Sequence, residues 1–440
     1  MNLWESLKER FWRSPFLSEE AKVNLYFNIR TLVRGKKKRS TQDSTFKVYA
    51  RQVLNGQTLD NRFSTDFPTK PVVSLDSHDP KLVAYYLPQY YPDSHNDRWW
   101  GKGSTEWTNT TKAVAQYLGQ YQPRLPGELG FYDLRIKENL YRQIELAKIH
   151  GIYGFCFYYY WFSGERILEF PLKAFVEDEK INFPFFICWA NDSWTKSWSS
   201  SSVEILLELK HTVENYKAFI HSCLPLFSKK NYMRIKGRPI LNVFHTYLFS
   251  DWKPVIAYWR KVVREELGCD LYVIGSLTKE SEYKENYLAK GFDAVNEFSF
   301  IANLPLMNDI TQEKTYVCDT FLGKVYDYKE FVEAKKYFRN TARKLYRAVA
   351  VGFDNTARKK NKGSIILDGA CPELYGKWLT DTIVSTSRND ELDDKMIFLF
   401  AWNEWAEGAY LEPDLKFKYG YLEETAKAIE SARAILRNAL

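Results

Sequence analysis

The segment FAWNEWAEGAYLE, residues 400–412, places three glutamates among aromatic and small side chains, directly after the apolar run MIFLF, residues 396–400. Glu404 and Glu407 are three residues apart, so a helical turn would direct both carboxylates into one cleft. Paired carboxylates with different pKa values are the standard groups for glycosidic chemistry, one acting as base or nucleophile and the other as acid. The alternative interpretation is an Asn–Glu cap with surface acids.

The run before this motif is the last of eight apolar segments that have the length of buried strands. They are LVAYYLP (82–88), GFCFYYY (154–160), FFICWAN (185–191), ILNVFH (240–245), LYVIGS (271–276), DAVNEF (293–298), AVAVGFD (348–354) and IFLFAWNE (397–404). Amphipathic segments such as 138–151, which ends on a glycine, separate several of them. This alternation predicts an α/β fold, a (β/α)8 barrel of the TIM type, with an open doubly wound sheet as the alternative.

Most of these runs begin apolar and end polar or aromatic. Catalytic and binding groups of such barrels gather at the C-terminal ends of the strands, so these strand ends and the loop after strand one supply the candidate substrate-binding residues. The candidates are Trp99, Trp100, Lys102, Glu106 and Trp107 after strand one; Tyr158, Tyr160 and Trp161 at strand two; Asn191, Asp192 and Trp194 at strand three; His245 at strand four; Glu297 at strand six; Asp354, Asn355 and Arg358 at strand seven; and Trp402, Asn403 and Trp405 at strand eight.

Several of these candidates have a structural alternative. Side chains alternate along a strand, so only some of the aromatic residues that end strand two can face the barrel interior. His245 is equally well explained as a hydrogen-bonded strand-end histidine. Arg358 either holds a phosphate or another anion or forms a structural salt bridge. Glu297 is a further candidate for the acid/base pair.

Composition leaves two explanations for the aromatic residues, which make up 17% of the chain: a large aromatic core or a site lined for sugar stacking. The sequence has no glycine-rich nucleotide fingerprint, no P-loop and no Asp-x-Asp clamp, and its six histidines lack metal-ligand spacing. We therefore expect no metal and no cofactor. The six scattered cysteines contain no CxxC pair, which favours free thiols in a reducing cytosol over disulfides.

The positive charge is concentrated at the N-terminus, where residues 1–40 hold ten Lys/Arg against four Asp/Glu. We divide the chain into a basic, partly helical extension and linker (1–80) and a catalytic domain (81–440). Leu3, Leu7 and Phe11 share one helical face before a Lys/Arg cluster. This pattern fits peripheral attachment to the anionic inner face of the plasma membrane, or a helix packed on the domain.

The sequence contains neither a signal-peptide core nor a run of 18 apolar residues, so we expect a cytoplasmic protein without a spanning helix. Nucleic-acid binding is not expected, because the basic residues do not continue onto the domain.

The motif NEWAEGAYLEPD, residues 403–414, resembles the C-terminal signature of the WbsX-like glycosyltransferases of surface-polysaccharide synthesis. That family is related to glycoside hydrolase family 99, the endo-α-mannosidases. Further matching motifs follow in the same order, so that the resemblance covers about residues 81–440. They are YLPQYYPDSHNDRWWGKGSTEWTNT (86–110), YQPRLPGELGFYDLR (121–135), GIYGFCFYYYWFSGERILEFPL (151–172), CWANDSWTKSW (188–198), FDNTARKK (353–360) and ACPELYGKW (370–378).

The resemblance implies a retaining enzyme that acts on a carbohydrate through the family-99 route. By motif match, Glu404 is the base towards the sugar 2-hydroxyl, which attacks C1 to give an anhydro sugar, and Glu407 is the general acid/base. The implied partners are a nucleotide-sugar donor and a lipid-linked oligosaccharide acceptor of O-antigen or capsule assembly. The alternatives are a retaining endo-acting glycoside hydrolase and a non-catalytic glycan-binding module.

This chain departs from the family pattern after strand three. Where the family commonly has Asn-Glu-Asn-Trp-Thr, two arginines and Trp-Asp, it reads NDSWTKSWSS. The residues that differ are Asp192, Ser193, Lys196, Ser197 and Ser199. A shorter acid and the loss of guanidinium groups change whatever these residues contact, so the resemblance says least about the substrate there.

Overall fold

The computed structural model describes residues 46–51, 62–63, 66, 68, 72–195, 205–298, 300–317, 321–339, 344–359 and 363–438. The predicted amphipathic helix and Lys/Arg cluster at the N-terminus lie outside these residues, as do three of the family departures, Lys196, Ser197 and Ser199. Parts of the predicted linker are described and contact the rest of the chain. Phe63 is buried against Phe417, and the backbone N–H of Val72 donates to the carbonyl of Ile149.

The strands in chain order are β1 Lys81–Tyr86, β2 Gly154–Phe162, β3 Glu165–Ile167, β4 Phe185–Trp189, β5 Trp194–Thr195, β6 Ile205–Leu207, β7 Arg234–Ile235, β8 Arg238–Val243, β9 Tyr272–Leu277, β10 Ala294–Glu297, β11 Lys324–Asp327, β12 Leu345–Tyr346, β13 Ala348–Ala350, β14 Ile365–Asp368, β15 Met396–Phe400, β16 Asn403–Glu404 and β17 Ala409–Tyr410. The α-helices are α1 Ser94–Trp100, α2 Glu106–Thr110, α3 Lys137–Ile149, α4 Phe170–Glu177, α5 Val213–Phe227, α6 Trp252–Leu267, α7 Tyr328–Glu333, α8 Thr356–Lys359, α9 Pro372–Ser387 and α10 Gly420–Arg437.

Eight parallel strand positions close into a barrel. The hydrogen-bonded order is β12-β10-β9-β8-β4-β2-β1-β15-β13. Arg347 alone separates β12, which pairs with β10, from β13, which pairs with β15, so these two short strands form one interrupted seventh strand. The first strand also pairs with the last, with Ala84 opposite Leu399. This closure confirms the predicted (β/α)8 barrel, and the open doubly wound sheet is wrong.

Aromatic side chains fill both faces of the barrel wall. Tyr85 lies fully buried in the interior, where it stacks on Tyr158 with ring centroids 5.6 Å apart and accepts a hydrogen bond of 2.7 Å from the side chain of Asn296. On the outer face, Phe157 of β2 packs against Phe175 of α4. A large aromatic core therefore accounts for many of the aromatic residues, and the rest need a separate explanation.

The connections between strands vary around the barrel. The helix expected over 138–151 is α3, after which Gly151 adopts a left-handed conformation with φ of 83° that suits a residue without a Cβ. Between β9 and β10 the described chain forms only a 3₁₀ helix, Glu280–Lys284, where the repeat would place an α-helix. Other 3₁₀ helices are Thr246–Leu248, Ile301–Leu306, Thr311–Glu313 and Trp405–Glu407.

Two further expectations bear on cellular context. Within the described ranges, no helix combines the length and apolar character needed to cross a bilayer. The described cysteines, Cys156, Cys188, Cys223, Cys269 and Cys371, are free thiols.

Candidate active site

The two motif glutamates lie where the chain leaves the eighth barrel strand. β16 pairs with β17 in a small antiparallel ribbon, and a single 3₁₀ turn, Trp405–Glu407, joins them. Residues three apart lie one above the other in a 3₁₀ turn, which directs the side chains of Glu404 and Glu407 to the same side. Gly408 ends the turn in the left-handed conformation with φ of 60°. The three-residue spacing therefore places both carboxylates on one side, as expected, but through a 3₁₀ turn in place of an α-helical one.

Arg358 connects both glutamates to a third carboxylate. Its Nη1 donates to Glu407 at 2.5 Å, its Nη2 donates to Glu404 at 3.0 Å, and its Nε donates to Glu106 at 2.5 Å. The four side chains are between 5% and 18% exposed. Three carboxylates from the loops after strands one and eight thus meet one guanidinium from the loop after strand seven. We refer to these four residues as the carboxylate cluster.

Burial and charge together favour protonation within the carboxylate cluster. Burial is the main cause that raises the pKa of Glu404 to about 8; the neighbouring carboxylates of Glu407 and Glu106 add to this shift, and Arg358 opposes it. Burial and Glu106 also raise the pKa of Glu407, again against Arg358. One guanidinium cannot balance three negative charges in a buried site, so the cluster is suited to hold and exchange a proton near neutral pH.

An aromatic wall borders the carboxylate cluster. Tyr158 and Tyr160 lie on the inner face of β2, and the hydroxyl of Tyr160 accepts a hydrogen bond of 3.0 Å from Gln89. The proximity of Glu404 contributes, after burial, to a raised pKa of both tyrosines. The Trp194 ring lies 5.2 Å from Tyr160 and 5.8 Å from Trp99. Tyrosine and tryptophan faces beside an acid/base pair offer a stacking surface for a sugar ring.

Three polar candidates at strand ends hold neighbouring loops together. The side chain of Asn403 pairs with both backbone groups of Leu87, at 2.7 and 3.0 Å. Asn191 does the same for His245, at 2.7 and 3.0 Å. The side chain of Asn355 accepts from the backbone N–H of Ile365 at 2.8 Å. These amides satisfy buried backbone groups where barrel strands end, so the structure places them in the framework that supports the site.

Asp354 shapes the turn that presents Arg358. Its carboxylate accepts hydrogen bonds from the side chains of Gln120 at 2.7 Å and Thr356 at 2.6 Å, and its backbone N–H donates to the carbonyl of Glu407 at 2.6 Å. The turn after strand seven is therefore joined directly to the turn after strand eight.

Four aromatic candidates lie outside the mouth of the barrel. Trp161 is on the outer face of β2, packed against Phe219 of α5, as the alternation of a strand requires. The Trp402 ring is fully buried 5.1 Å from Phe155, and Trp405 stacks on Tyr410 at 3.8 Å. Trp107 lies beneath Trp405, and its indole N–H donates to the carbonyl of Tyr132. Of these rings, Trp107 and Trp405 pack on each other and directly follow Glu106 and Glu404 of the carboxylate cluster in the chain.

Glu297 does not join the carboxylate cluster. Its carboxylate pairs with Arg347 at 2.7 Å and accepts a hydrogen bond of 3.2 Å from the backbone N–H of Ala348. Both bonds lead to the interruption of strand seven, so this residue connects strands six and seven. Its partners are those of a structural ion pair.

The remaining candidates lie at the rim. Trp100 is 39% exposed and Lys102 is also exposed, both at the end of α1. Burial raises the pKa of the partly exposed Asp192 to about 6. Burial, together with the charge of Lys279, lowers the pKa of His245 to about 4, which keeps its imidazole neutral.

Sequence reasoning assigned no role to Glu412, the third glutamate of the motif. It is 1% exposed and accepts hydrogen bonds from the indole of Trp405 at 2.6 Å, the amide of Gln143 at 2.6 Å and the hydroxyl of Tyr132 at 2.9 Å. Burial raises its pKa to about 7. Glu412 fixes the indole of Trp405, which belongs to the Glu404–Glu407 turn. Its position in the same sequence motif was the signal that could have indicated this role. Among the residues that the structure describes, no group of His, Cys, Asp and Glu could hold a metal ion.

The barrel resembles solved glycoside hydrolase structures. A GH99 endo-α-mannosidase from Bacteroides thetaiotaomicron aligns over 83% of this chain and 100% of its own, with a TM-score of 0.52 and 17% identity. A structure described as a glycoside hydrolase-like protein aligns over 83% of this chain and 98% of its own, with a TM-score of 0.51 and 13% identity. At these identities the likeness establishes the fold, which is a GH99-like barrel.

The sequence identifies the family. The model of the glycosyltransferase WbsX family matches residues 82–425, so the chain belongs to this family of carbohydrate-active enzymes. Two curated relatives, both named uncharacterized protein WxcX, come from Xanthomonas campestris pv. campestris strains B100 and ATCC 33913. Each is 36% identical over 351 residues, which is 80% of this chain but 50% of the relative. The chain thus spans about half the length of the curated relatives it matches.

Proposed function

We propose that this protein is a retaining glycosyltransferase that adds a sugar during assembly of a surface polysaccharide such as O-antigen or capsule. The observation that carries the proposal is the carboxylate cluster, in which Glu404, Glu407 and Glu106 surround Arg358 beside the aromatic wall. Membership of a glycosyltransferase family favours transfer to another sugar.

The proposed reaction has two steps and uses the two motif glutamates. In the first, Glu404 removes the proton of the donor 2-hydroxyl, and O2 forms a bond to C1 while the bond from C1 to the leaving group breaks and Glu407 gives its proton to that group. In the second, Glu407 removes the proton of an acceptor hydroxyl, which attacks C1. The C1–O2 bond breaks, and Glu404 returns the proton to O2. Two inversions at C1 retain the anomeric configuration.

The environment of the two glutamates allows both to exchange protons near neutral pH. A carboxylate whose pKa is raised to about 8 is a stronger base than an ordinary glutamate once it is ionised. Glu407, whose pKa is also raised, can hold a proton for the leaving group. Arg358 contacts both through separate nitrogens, so the gain of a proton at one changes the field at the other.

The second candidate function is hydrolysis of an α-linked glycan, which the likeness to a GH99 endo-α-mannosidase favours. The same carboxylates would serve, with water in place of the acceptor hydroxyl. The deciding experiment offers the purified protein nucleotide sugars with a lipid-linked acceptor and, separately, the finished polysaccharide. Transfer in the first assay alone supports the proposal, and cleavage in the second alone overturns it.

The participation of O2 has its own test. A 2-deoxy form of the true donor lacks the proposed nucleophile yet reaches an oxocarbenium-like transition state more easily. We expect it to bind and react very slowly. If it reacts as fast as the parent sugar, the anhydro route is wrong for this protein.

We also propose that residues 1–40 attach the protein to an anionic membrane surface, since they carry ten basic residues and four acidic ones. Deletion of these residues should abolish binding to vesicles rich in phosphatidylglycerol and spare activity on a water-soluble acceptor. Loss of activity on that acceptor would show that the segment packs on the barrel.

A further inference from the structure

Arg124 is a buried arginine whose hydrogen-bonding groups are unused. The residue is 6% exposed, and its Nε is buried without a hydrogen-bond partner. Neither of its terminal nitrogens forms a hydrogen bond or an ion pair with any residue that the structure describes, and the charges that act on it do so through space. A guanidinium stays charged at any physiological pH and carries five N–H donors. A buried cation with unused donors is costly for the free protein.

The two acidic residues nearest to Arg124 are satisfied by neutral donors. Asp354 accepts from the side chains of Gln120 and Thr356. Asp414 accepts from the hydroxyls of Tyr410 at 2.7 Å and Tyr121 at 2.8 Å. These aspartates balance the charge of the guanidinium at a distance and leave its donors directed at no protein acceptor. The unused donors are therefore available to an acceptor from outside the chain.

Arg124 lies between the loops that follow strands seven and eight. A Cβ added to Gly408 would lie 2.8 Å from Nε of Arg124 and 3.1 Å from Cβ of Asp354, so the guanidinium is packed against both loops. Gly408 directly follows Glu407 in the chain. In (β/α)8 barrels the loops after strands seven and eight frequently form a phosphate-binding site. The unused donors thus lie against loops that frequently bind phosphate in this fold, and they pack on Gly408, the residue after Glu407.

A second cation lies close by. The guanidinium carbon of Arg124 is 5.0 Å from the centre of the Tyr121 ring, and Nζ of Lys416 is 4.6 Å from the same ring. Tyr121 is partly exposed, whereas Arg124 is buried. A planar guanidinium can bind two oxygens of one phosphate, and an ammonium group adds a point charge. Arg358 does not offer this, because Glu106, Glu404 and Glu407 occupy all three of its nitrogens.

We propose that Arg124, with Lys416 on the same Tyr121 ring, binds a phosphate group of the substrate beside the turn that carries Glu407. This inference rests on the proposed function, since a polysaccharide to be hydrolysed need carry no phosphate. The phosphate belongs either to a nucleoside diphosphate sugar or to a diphosphate-linked lipid acceptor. The sequence offered Arg358 either as an anion contact or as a salt-bridge residue, and its nitrogens pair with three glutamates.

The experiment is a calorimetric titration of the full chain with inorganic pyrophosphate, uridine diphosphate and farnesyl diphosphate, without turnover. We expect pyrophosphate to bind the wild type with one site per chain. Arg124→Gln should weaken this binding at least tenfold, and Arg124→Lys should weaken it less. Arg433→Gln is the matched control, because Arg433 pairs with Asp79 just before β1, at the opposite end of the barrel, and should bind as the wild type does. Tighter binding of uridine diphosphate assigns the site to the donor, and tighter binding of farnesyl diphosphate assigns it to the acceptor.

Three results would overturn the inference: no pyrophosphate binding by the wild type, undiminished binding by folded Arg124→Gln, or a crystal structure of the wild type with pyrophosphate bound elsewhere. If Arg124→Gln does not fold, Arg124→Lys and the crystal structure decide. Binding is measured without catalysis, so a protein that hydrolyses polysaccharide and binds pyrophosphate at Arg124 contradicts the proposed function alone. An active transferase that binds no phosphate at Arg124 contradicts this inference alone.

Discussion

Two largely buried arginines near the seventh strand pair with different numbers of glutamates. Arg347, in the interruption of that strand, pairs with one carboxylate, Glu297, and its Nη2 donates to the carbonyl of Arg339 at 2.8 Å. Arg358, eleven residues later, pairs with three carboxylates. The first group joins one carboxylate to one cation, whereas the second has more negative groups than its cation can neutralise. We infer that the Arg347–Glu297 pair connects two strands and that the carboxylate cluster around Arg358 takes part in the reaction.

The difference suggests that one group of charged residues stabilises the barrel and that another provides its reactive groups. A balanced, hydrogen-bonded pair holds two strands together and has no reason to exchange a proton. Burial, to which the neighbouring carboxylates of Glu407 and Glu106 add, raises the pKa of Glu404 to about 8 and leaves a proton to be shared. The stability of the molecule and its activity should therefore respond to mutation at different arginines and different glutamates.

The largest effect is expected from loss of the motif glutamates. Glu404→Gln and Glu407→Gln keep the shape of the side chain and remove the charge or proton, so turnover should fall about a thousandfold, within the usual range for a general acid or base. Steady-state kinetics with the confirmed substrate, alongside circular dichroism, measures this. Near-normal activity in both folded variants would show that the chemistry lies elsewhere in the barrel mouth.

The balanced pair should affect stability instead. Glu297→Gln and Arg347→Met each leave one buried group unpaired, which costs about 3–5 kcal/mol of unfolding free energy. Denaturant titration measures the loss, and turnover per folded molecule should stay within about twofold of wild type. A thousandfold loss of turnover in stable Glu297→Gln would place this glutamate in the reaction and break the contrast.

Removal of Arg358 should make stability depend on pH. Arg358→Met leaves the carboxylates of the cluster without their cation, so the pKa values of Glu404 and Glu407, which are already raised, rise further. A raised carboxyl pKa contributes stability that is present at low pH and is lost as pH rises through the folded value. The variant should be close to wild type near pH 5 and lose stability progressively towards pH 9. Arg347→Met removes the cation from one carboxylate only, that of Glu297. The stability of this variant should therefore depend less steeply on pH.

The smallest effect is a gain. Because the pKa of Glu404 is raised to about 8, the stability that its protonated form contributes at low pH is lost as pH rises through that value. Glu404→Gln should therefore be more stable than wild type at pH 9, and the difference should vanish near pH 5. Calorimetry of both proteins at the two pH values measures it. A variant that is less stable than wild type at pH 9 would mean that the ion pair with Arg358 outweighs the cost of burial.

Local patterns in the sequence were sufficient for the barrel. Each strand was visible as a buried apolar run, because burial on both faces of a parallel sheet requires an unbroken series of apolar residues. The interruption at Arg347 was not visible, since it depends on a partner, Glu297, in the neighbouring strand. The helix missing between β9 and β10 was not visible either, because a short connection of 3₁₀ form leaves no periodic pattern.

The sequence alone determined that glutamates 404 and 407 follow a buried strand at a spacing that puts them on one side, because that relation is local. Only the tertiary structure decided that Glu106, 252 residues before Arg358, completes the cluster. It also separated Asn191, Asn403 and Asp354, which hold loops together, from Tyr158 and Tyr160, which border the cluster. Closure of the barrel brings these distant strand ends together, and the partner that each polar group then finds sets whether it supports the site or takes part in it.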